Sequence, residues 1–228
     1  MNVNIQVIAR MHSDFATKFG IPRQSGLVEE LKSTIVFEPE FRNPDALRGI
    51  EDFSHLWIIW QFSEAVRQGW SPTVRPPRLG GNTRMGVFAT RSPFRPNNLG
   101  LSSVKLLGVE HTAEFGTVLH VGGADLMDGT PIFDIKPYLS FTDSHPDAID
   151  GFAETRLSYG LEVDFPPHLL ALVAEADRAS LLALLAEDPR PSYQDDPARI
   201  YGMPYGRYDV QFTVTEGCLH VCDILFPG

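Results

Sequence analysis

Short apolar runs separated by polar turns recur from the N-terminus to about residue 140. Each run has the length of a strand and is rich in β-branched or aromatic residues. No helical pattern of about ten residues separates one run from the next, which predicts an antiparallel sheet and not β-α-β units. The predicted strands are residues 3–11, 33–38, 55–62, 85–90, 103–110, 117–126 and 131–139.

The spacing of these runs favours a sheet that closes on itself. We therefore predict a mainly β fold, a single closed antiparallel β-barrel that spans residues 1–146. Residues 55–62, HLWIIWQF, are apolar almost throughout and predict a central strand that is covered on both faces.

The pattern changes after residue 146. Leucines repeat at helical spacing in residues 166–188, and prolines bound this stretch at both ends, which predicts one helix. Residues 190–208, rich in Pro, Tyr and Gly, predict a loop, and residues 208–226 predict a β-hairpin around TEG. Because a helix and one hairpin are too small to fold alone, residues 147–228 are expected to form a small α+β extension that packs on the barrel or on a second copy of it.

Charge is segregated along the chain. The net charge is −10, with 29 acidic and 19 basic side chains, yet residues 65–109 contain seven Arg or Lys residues and no Asp or Glu. Such a cationic segment predicts either an anionic ligand or partner, or ion pairs with carboxylates elsewhere in the fold.

Several kinds of chemistry lack their sequence signatures. No G-x-G-x-x-G follows a strand, and no Walker A motif, H-E-x-x-H or paired C-x-x-C occurs, so neither a Rossmann cofactor site nor a metal site is expected. There is no signal-peptide pattern and no apolar run of about 18 residues. Cys218 and Cys222 are expected to be free, buried thiols, and the protein is expected to be cytoplasmic.

Four polar clusters lie in or beside turns and are candidates for chemistry. Residues 75–102, which end in RSPFRPNNLGLS, supply cations and amides, and residues 122–138, GGADLMDGTPIFDIKPY, supply carboxylates and a glycine-rich backbone. The other two clusters are residues 19–27, FGIPRQSGL, and residues 50–59, IEDFSHLWII. A ligand with anionic, cationic and hydroxylated parts would use both kinds of group.

These motifs, in this order, resemble the TrmO family, also called TsaA-like proteins. The resemblance rests on GIPRQSG, IEDFSHLWIIW, RSPFRPNNLGLS and GADLMDGTPIFDIKPY, and it covers roughly residues 5–145. Residues 187–212 also resemble the C-terminal extension of bacterial members. The resemblance implies a single-barrel, non-Rossmann tRNA methyltransferase that acts as a homodimer. Its expected reaction uses S-adenosylmethionine to methylate N6 of threonylcarbamoyladenosine at position 37, beside the anticodon.

The resemblance also implies which residues contact S-adenosylmethionine. Arg23 or Arg91 suits its carboxylate, because a guanidinium binds a carboxylate through a fork of two hydrogen bonds. Asp125 or Asp128 suits its ribose hydroxyls or its ammonium, and backbone groups of neighbouring apolar residues suit its adenine. The implied cofactor-binding residues are Pro22, Arg23, Gln24, His55, Leu56, Arg91, Leu101, Asp125, Leu126, Met127 and Asp128.

Two further sets of residues follow from the implied reaction. The acceptor nitrogen has a delocalised lone pair, so a base or a group that orients its N–H would assist, and the candidates are Asp134, His55 and Tyr138. The cationic segment is expected to bind the anticodon loop, with Phe94 as a stacking surface. The expected RNA-binding residues are Arg67, Arg75, Arg78 and Arg84 at phosphates, and Arg95, Asn97 and Asn98 nearer the modified base.

Two alternative functions stay open at this level. One is an enzyme of the same family that methylates another acceptor, since the cofactor motifs do not distinguish acceptors. The other is a barrel that binds S-adenosylmethionine or RNA without catalysis.

Overall fold

Two hydrophobic cores organise this chain. The computed structural model describes residues 3–67, 69–76, 83–156, 160–191, 194 and 196–227, and for residues 154–156 the backbone alone is described. One core lies inside a ring of six strands, and the other lies between a second sheet and the helices that pack on it. The prediction of a mainly β protein is confirmed.

Six of the first eight strands form a barrel. Their order is β1-β2-β7-β6-β3-β8, and the antiparallel pairing of Ala9 and Arg10 with Ile132 and Pro131 joins the last strand to the first. The remaining two, β4 and β5, form a separate two-stranded sheet. The strands are β1 Ala9–His12, β2 Lys32–Phe37, β3 His55–Gln61, β4 Thr73–Val74, β5 Met85–Gly86, β6 Leu99–Thr112, β7 Gly116–Gly122 and β8 Pro131–Pro137.

Strand β3 lies at the centre of this sheet, between β6 and β8. Leu56, Ile58 and Trp60 point into the barrel and are buried, whereas the alternate residues Trp57 and Ile59 lie on the outer face and are half-buried. The prediction that both faces are covered is therefore wrong. A closed barrel has one interior, so an almost wholly apolar strand still leaves one face partly open.

The predicted strand at residues 85–90 is wrong for most of its length. Only Met85–Gly86 pairs as a strand, and Val87–Ala89 forms a 3-10 turn. The Val87 N–H donates to the carbonyl of Pro72, and the guanidinium of Arg95 donates to the carbonyls of Val87 and Thr90. These hydrogen bonds pair backbone groups that a strand would otherwise have paired with its neighbouring strands.

The C-terminal part contains a four-stranded sheet of order β10-β11-β12-β9, in which β9 pairs parallel to β12. The predicted hairpin is confirmed as β11 and β12, with Glu216 and Gly217 both at positive φ in the turn. The loop predicted over 190–208 is wrong at β10, which pairs with β11. The elements are β9 Glu162–Asp164, β10 Tyr201–Tyr205, β11 Tyr208–Thr215, β12 Cys218–Leu225, α1 Ser140–Asp143, α2 Pro167–Leu170 and α3 Glu175–Ala186.

The single helix predicted over 166–188 is two helices. Ala174 has an extended backbone, at φ −57° and ψ 141°, and it separates α2 from α3. Its N–H donates to the hydroxyl of Tyr208 at 3.0 Å, and that hydroxyl donates to the carboxylate of Asp177 at 2.9 Å. A tertiary partner thus caps α3, where the leucine pattern alone predicted a continuous helix.

The C-terminal sheet shares its core with the loop that joins β1 to β2. Phe15, Val28 and Leu31 from this loop are buried among residues of the sheet and of α3. The two parts of the chain are therefore packed against each other through residues that precede β2.

Two smaller observations complete the fold. Cys218 is half-buried but Cys222 is exposed, because both lie on the face of β12 opposite to that of the buried Leu219 and Val221, so the prediction of two buried thiols is wrong for Cys222. None of the helices in the described ranges has the length and the apolar character that crossing a membrane requires.

Candidate functional site

A cavity of about 800 Å³ opens at one end of the barrel, where β3 ends and β6 begins. Its wall also includes residues of three loops, at 18–25, 90–95 and 125–130. Pockets for small molecules usually enclose roughly 300–1,000 Å³, so the volume suits a ligand of cofactor size.

Aromatic rings form one side of the cavity. Trp60 and Phe62 lie against each other with ring centroids 4.2 Å apart, and Trp57 and Phe94 also line the wall. A Cβ on Gly100 would lie 2.3 Å from the Trp60 ring, so the strand opposite Trp60 needs glycine at this position. The close approach holds the indole in one orientation at the cavity wall.

A largely buried carboxylate lies at the base of the cavity. Asp125 accepts a hydrogen bond from the Ser102 hydroxyl at 2.6 Å, and Ser102 in turn accepts one from the Trp60 indole N–H at 2.9 Å. Burial raises the pKa of Asp125 above its usual 3.8, while hydrogen bonds from Ser102 and from the Ser25 backbone, and the charge of Arg91, act in the opposite direction. The carboxylate is thus held in place with an unfavourable loss of solvation, which a cationic or hydroxyl-bearing ligand would offset.

Cationic side chains also line the cavity. Arg91 hydrogen-bonds the side-chain oxygen of Gln24, which joins the RSPFRPNNLGLS segment to the early GIPRQSG turn. Arg23 and Lys18 also line the cavity, and Arg23 is exposed. Guanidinium groups that can bind a carboxylate and a carboxylate that can bind an ammonium therefore line the same cavity, as a zwitterionic ligand requires.

Seven of the eleven residues expected to bind the cofactor line this cavity: Pro22, Arg23, Gln24, Arg91, Leu101, Asp125 and Met127. The other four, His55, Leu56, Leu126 and Asp128, do not line it. The side chains of Leu56 and Leu126 are buried in the barrel core, because alternate residues of a strand or tight turn point in opposite directions. Asp128 instead lines a second cavity of about 610 Å³, beside His12 and Ser13.

The three candidates for a catalytic base lie outside the cavity lining. Asp134 pairs with Lys136 at 2.9 Å, and both side chains are substantially exposed. His55 hydrogen-bonds Ser54, and its ring centroid lies 6.2 Å from that of Tyr138. The Tyr138 ring packs on a residue that does line the cavity, with its centroid 5.5 Å from that of Trp57.

The expected RNA-binding residues divide into two groups. Arg67, Arg75, Arg84 and Asn97 are exposed, and Arg78 lies outside the described residues. The guanidinium of Arg95 and the side-chain amide of Asn98 instead donate to backbone carbonyls of the surrounding loops, so both shape the segment 87–98, and Arg95 also lines the cavity.

Sequence reasoning missed several residues of the site. The lining residues Trp57, Trp60 and Phe62 belong to an apolar run that predicts a buried strand, and no periodic signal marks where a strand reaches a barrel end. The aromatic pair Trp70 and Phe88 was also missed. Its ring centroids are 5.9 Å apart, and its side chains are 53% and 72% exposed.

This pair lies close to the cavity. Phe88 directly follows Val87, whose carbonyl accepts a hydrogen bond from Arg95 in the cavity wall. On the same segment, the Arg67 guanidinium stacks 3.9 Å from the centre of the Phe94 ring. Across the described ranges, no group of three or more His, Cys, Asp or Glu side chains is arranged to hold a metal ion.

Comparison with known proteins gives a consistent result. The family model for the tRNA-methyltransferase O N-terminal domain matches residues 10–144, and that for the TrmO C-terminal domain matches residues 158–226. A tRNA (adenine(37)-N6)-methyltransferase of Escherichia coli strain K12 is 41% identical over 222 residues, which cover 94% of each chain. A Pseudomonas aeruginosa protein named putative S-adenosylmethionine-dependent methyltransferase RcsF is 38% identical over 93% of each chain.

Solved structures agree with the sequence comparisons. A crystal structure of TrmO from Pseudomonas aeruginosa superposes with a TM-score of 0.76 at 31% identity, covering 99% of this chain and 100% of that one. The family models match more than half of the chain, and the Escherichia coli relative is similar over nearly its full length. This chain belongs to the tRNA-methyltransferase O family.

Proposed function

We propose that this protein is an S-adenosylmethionine-dependent tRNA methyltransferase that methylates N6 of adenine 37. The observation that carries the proposal is the cavity at the barrel end, which combines a buried carboxylate, a guanidinium side and an aromatic wall in a chain whose relatives are named for this reaction. The finer proposal is that the adenine carries an N6-threonylcarbamoyl group, as the resemblance of the four motifs implies.

The cavity residues suit the chemical groups of S-adenosylmethionine, which supplies an activated methyl group on a sulfonium. Arg91 and Arg23 suit its carboxylate, and Asp125 suits its ammonium or ribose hydroxyls. The buried Asp125 carboxylate carries a solvation cost, and a bound cation or hydroxyl reduces that cost. The half-buried indole of Trp57 suits a sulfonium or an adenine ring, because cations and flat rings both favour aromatic faces.

The residues of this chain contribute mainly by positioning. Holding two reactants in line supplies roughly 7–11 kcal/mol of the barrier reduction in well-oriented systems, without any covalent step on the protein. Gly100 under Trp60 and the Arg91–Gln24 hydrogen bond both restrict the walls that would orient the methyl donor.

The surface around the cavity supports an RNA substrate. Arg67, Arg75 and Arg84 are exposed on a segment without acidic residues, and the half-exposed pair Trp70 and Phe88 lies on the same segment. Single-stranded RNA is bound by cations at its phosphates and by aromatic faces on which unstacked bases lie. We propose that this segment receives the anticodon loop and that the two exposed rings stack on bases beside the target.

One paired experiment tests the function. Binding of S-adenosylmethionine is measured by calorimetry, and transfer of a labelled methyl group is measured on tRNA with and without the threonylcarbamoyl group. The proposal expects cofactor binding and methylation of the modified tRNA alone. Methylation of both tRNAs, or of neither with cofactor binding intact, would point to another acceptor or to a binding protein.

Two further properties stay predictions. A homodimer follows from the family resemblance, and sedimentation equilibrium measures it directly. A tRNA substrate further implies that the enzyme acts in the cytoplasm, where fractionation of cells would locate it.

A further inference from the structure

The loop that joins β1 to β2 supplies a large part of the cavity wall. Six cavity-lining residues come from it: Lys18, Ile21, Pro22, Arg23, Gln24 and Ser25. The loop, residues 13–31, contains no helix or strand of its own. Its conformation must therefore be set by contacts with other parts of the protein.

Backbone hydrogen bonds fix the two ends of this loop to the barrel. The carbonyl of Phe15 accepts from the N–H of Asp128 at 2.9 Å, and the N–H of Gly26 donates to the carbonyl of Gly123 at 2.9 Å. The N–H of Gly123 donates to Leu31, also at 2.9 Å. The residues that line the cavity lie between the first two of these attachments.

The middle of the loop packs on the C-terminal sheet. A Cβ built on Gly20 would lie 2.7 Å from Cγ and 2.9 Å from Sδ of Met203, a fully buried residue of β10. Gly20 has φ +83°, which glycine adopts without strain, so the chain turns directly over the methionine. Phe15 lies on Tyr205 at a ring distance of 5.8 Å.

Ile21 connects this contact to the site. It follows Gly20, packs against the C-terminal core, and also lines the cavity just before Pro22 and Arg23. A change in how Gly20 rests on Met203 therefore displaces the residues that face the ligand. Packed cores transmit such changes because they contain little free volume.

We infer that the C-terminal sheet is a positioning element of the methyl-donor site, and that Met203 acts as a positioning residue through Gly20. This inference rests on the proposed function, because it assigns the cavity to S-adenosylmethionine. It gives the C-terminal part a role in cofactor affinity that is separate from any contact with tRNA.

The test compares variants of Met203 with a matched control in the same core. Leu219 is also fully buried there, but it lies on β12, two strands away from β10. For each variant, calorimetry gives the dissociation constant of S-adenosylmethionine, and thermal unfolding gives the Tm. Met203→Ala is expected to raise that dissociation constant roughly ten- to a hundredfold, since small displacements of binding groups have effects of this size. Leu219→Ala is expected to lower the Tm comparably and to leave the constant unchanged.

Two graded variants keep the test decisive if Met203→Ala folds poorly. Met203→Leu preserves side-chain volume, so its dissociation constant for S-adenosylmethionine is expected to stay within about twofold of the wild-type value. The dissociation constant of Met203→Val is expected to lie between those of Met203→Leu and Met203→Ala. Cofactor affinity that follows the size of residue 203 supports the inference. Equal affinities across the Met203 series, or equal losses for Leu219→Ala and Met203→Ala, would overturn it while the proposed function stands. A wild-type protein that binds no S-adenosylmethionine would overturn both.

Discussion

At the scale of single residues, the chemistry of the site depends on a few side chains whose surroundings differ from those of free amino acids. Asp125 is held by Ser102 and, through it, by Trp60, in a position with little solvent. Arg95 and Asn98 are half-buried and donate hydrogen bonds to backbone carbonyls. The same residue types thus serve either ligand binding or loop structure, depending on their partners.

Asp125→Asn is expected to weaken cofactor binding and to stabilise the free protein at neutral pH. Hydrogen bonds to charged groups contribute about 1.5–3 kcal/mol, so the dissociation constant of S-adenosylmethionine should rise about tenfold or more. Burial raises the pKa of Asp125, so the folded state binds its proton more tightly than the unfolded state does. This contribution to stability is present below pH 3.8, the ordinary value, and is lost as the pH rises through the folded-state pKa.

To check this, the free energy of unfolding of the wild type and of Asp125→Asn is measured between about pH 3.5 and 8, in steps of about half a unit. The free energy of unfolding of Asp125→Asn should exceed that of wild type least at the acidic end of this range, and the difference should grow as the pH rises. An advantage that is the same at every pH would show that Asp125 does not titrate in this way.

Asp134→Asn is expected to leave the methylation rate within a few-fold of wild type, because Asp134 pairs with Lys136 on the outer face and does not line the cavity. Single-turnover kinetics at saturating cofactor measures this rate, with Asp125→Asn as the comparison. A loss of about a hundredfold or more in Asp134→Asn would contradict this expectation and support Asp134 among the three candidates for the catalytic base.

At the scale of structural elements, the site is built where regular structure ends. The end of β3 supplies Trp57 and Trp60, three loops supply most of the charged groups, and Glu64 comes from the turn that follows β3. The small sheet of β4 and β5 carries no cavity residue, but it is flanked by Trp70 and Phe88. This arrangement places an exposed aromatic pair beside a cavity with a rigid wall.

Trp70→Ala and Phe88→Ala are each expected to weaken tRNA binding about tenfold, because base stacking on an aromatic side chain contributes roughly 1–3 kcal/mol. Cofactor affinity should not change, since neither residue lines the cavity. Phe141→Ala is the control for the loss of a surface aromatic side chain, because Phe141 is 82% exposed and lies on α1, outside residues 65–109 of the sequence. Equal losses in all three variants would show a nonspecific effect of removing surface aromatics.

At the scale of the whole molecule, charge is distributed unevenly. All 29 acidic residues lie outside residues 65–109, which contain seven of the 19 basic ones. A polyanion therefore meets a favourable local field on one segment of a protein with net charge −10. If this segment contacted the same segment of a second chain across a two-fold axis, cationic side chains would face each other and repel. The charge of the segment therefore favours binding to RNA over binding to a second copy of itself.

The double variant Arg75→Gln and Arg84→Gln is expected to make tRNA binding less sensitive to salt. Each neutralised phosphate contributes about −0.7 to the slope of the logarithm of affinity against the logarithm of salt concentration. Arg48→Gln is the control, since Arg48 is exposed and paired with Asp45 outside the segment. A slope equal to that of wild type would exclude Arg75 and Arg84 from the RNA interface.

The local sequence pattern and the composition predict part of the fold and part of the candidate site. The period-two alternation of β2 and β11, the turn at Glu216 and Gly217, and the four polar clusters follow from the sequence, because each depends on residues near one another in the chain. Seven of the expected cofactor residues lie at the cavity for the same reason, since they belong to short motifs that act as units.

Tertiary structure decided the rest. The break between α2 and α3 depends on Tyr208, 34 residues from Ala174 along the chain, and the turn after Gly86 depends on the hydrogen bond of Val87 with Pro72. A local hydrophobic pattern contains neither contact. The sequence by itself determined a mainly β chain with a cationic segment and clustered polar turns. Only the tertiary structure decided which side chains of those turns share a cavity, because the direction of a side chain at a barrel end depends on strand register and closure, which no local pattern contains.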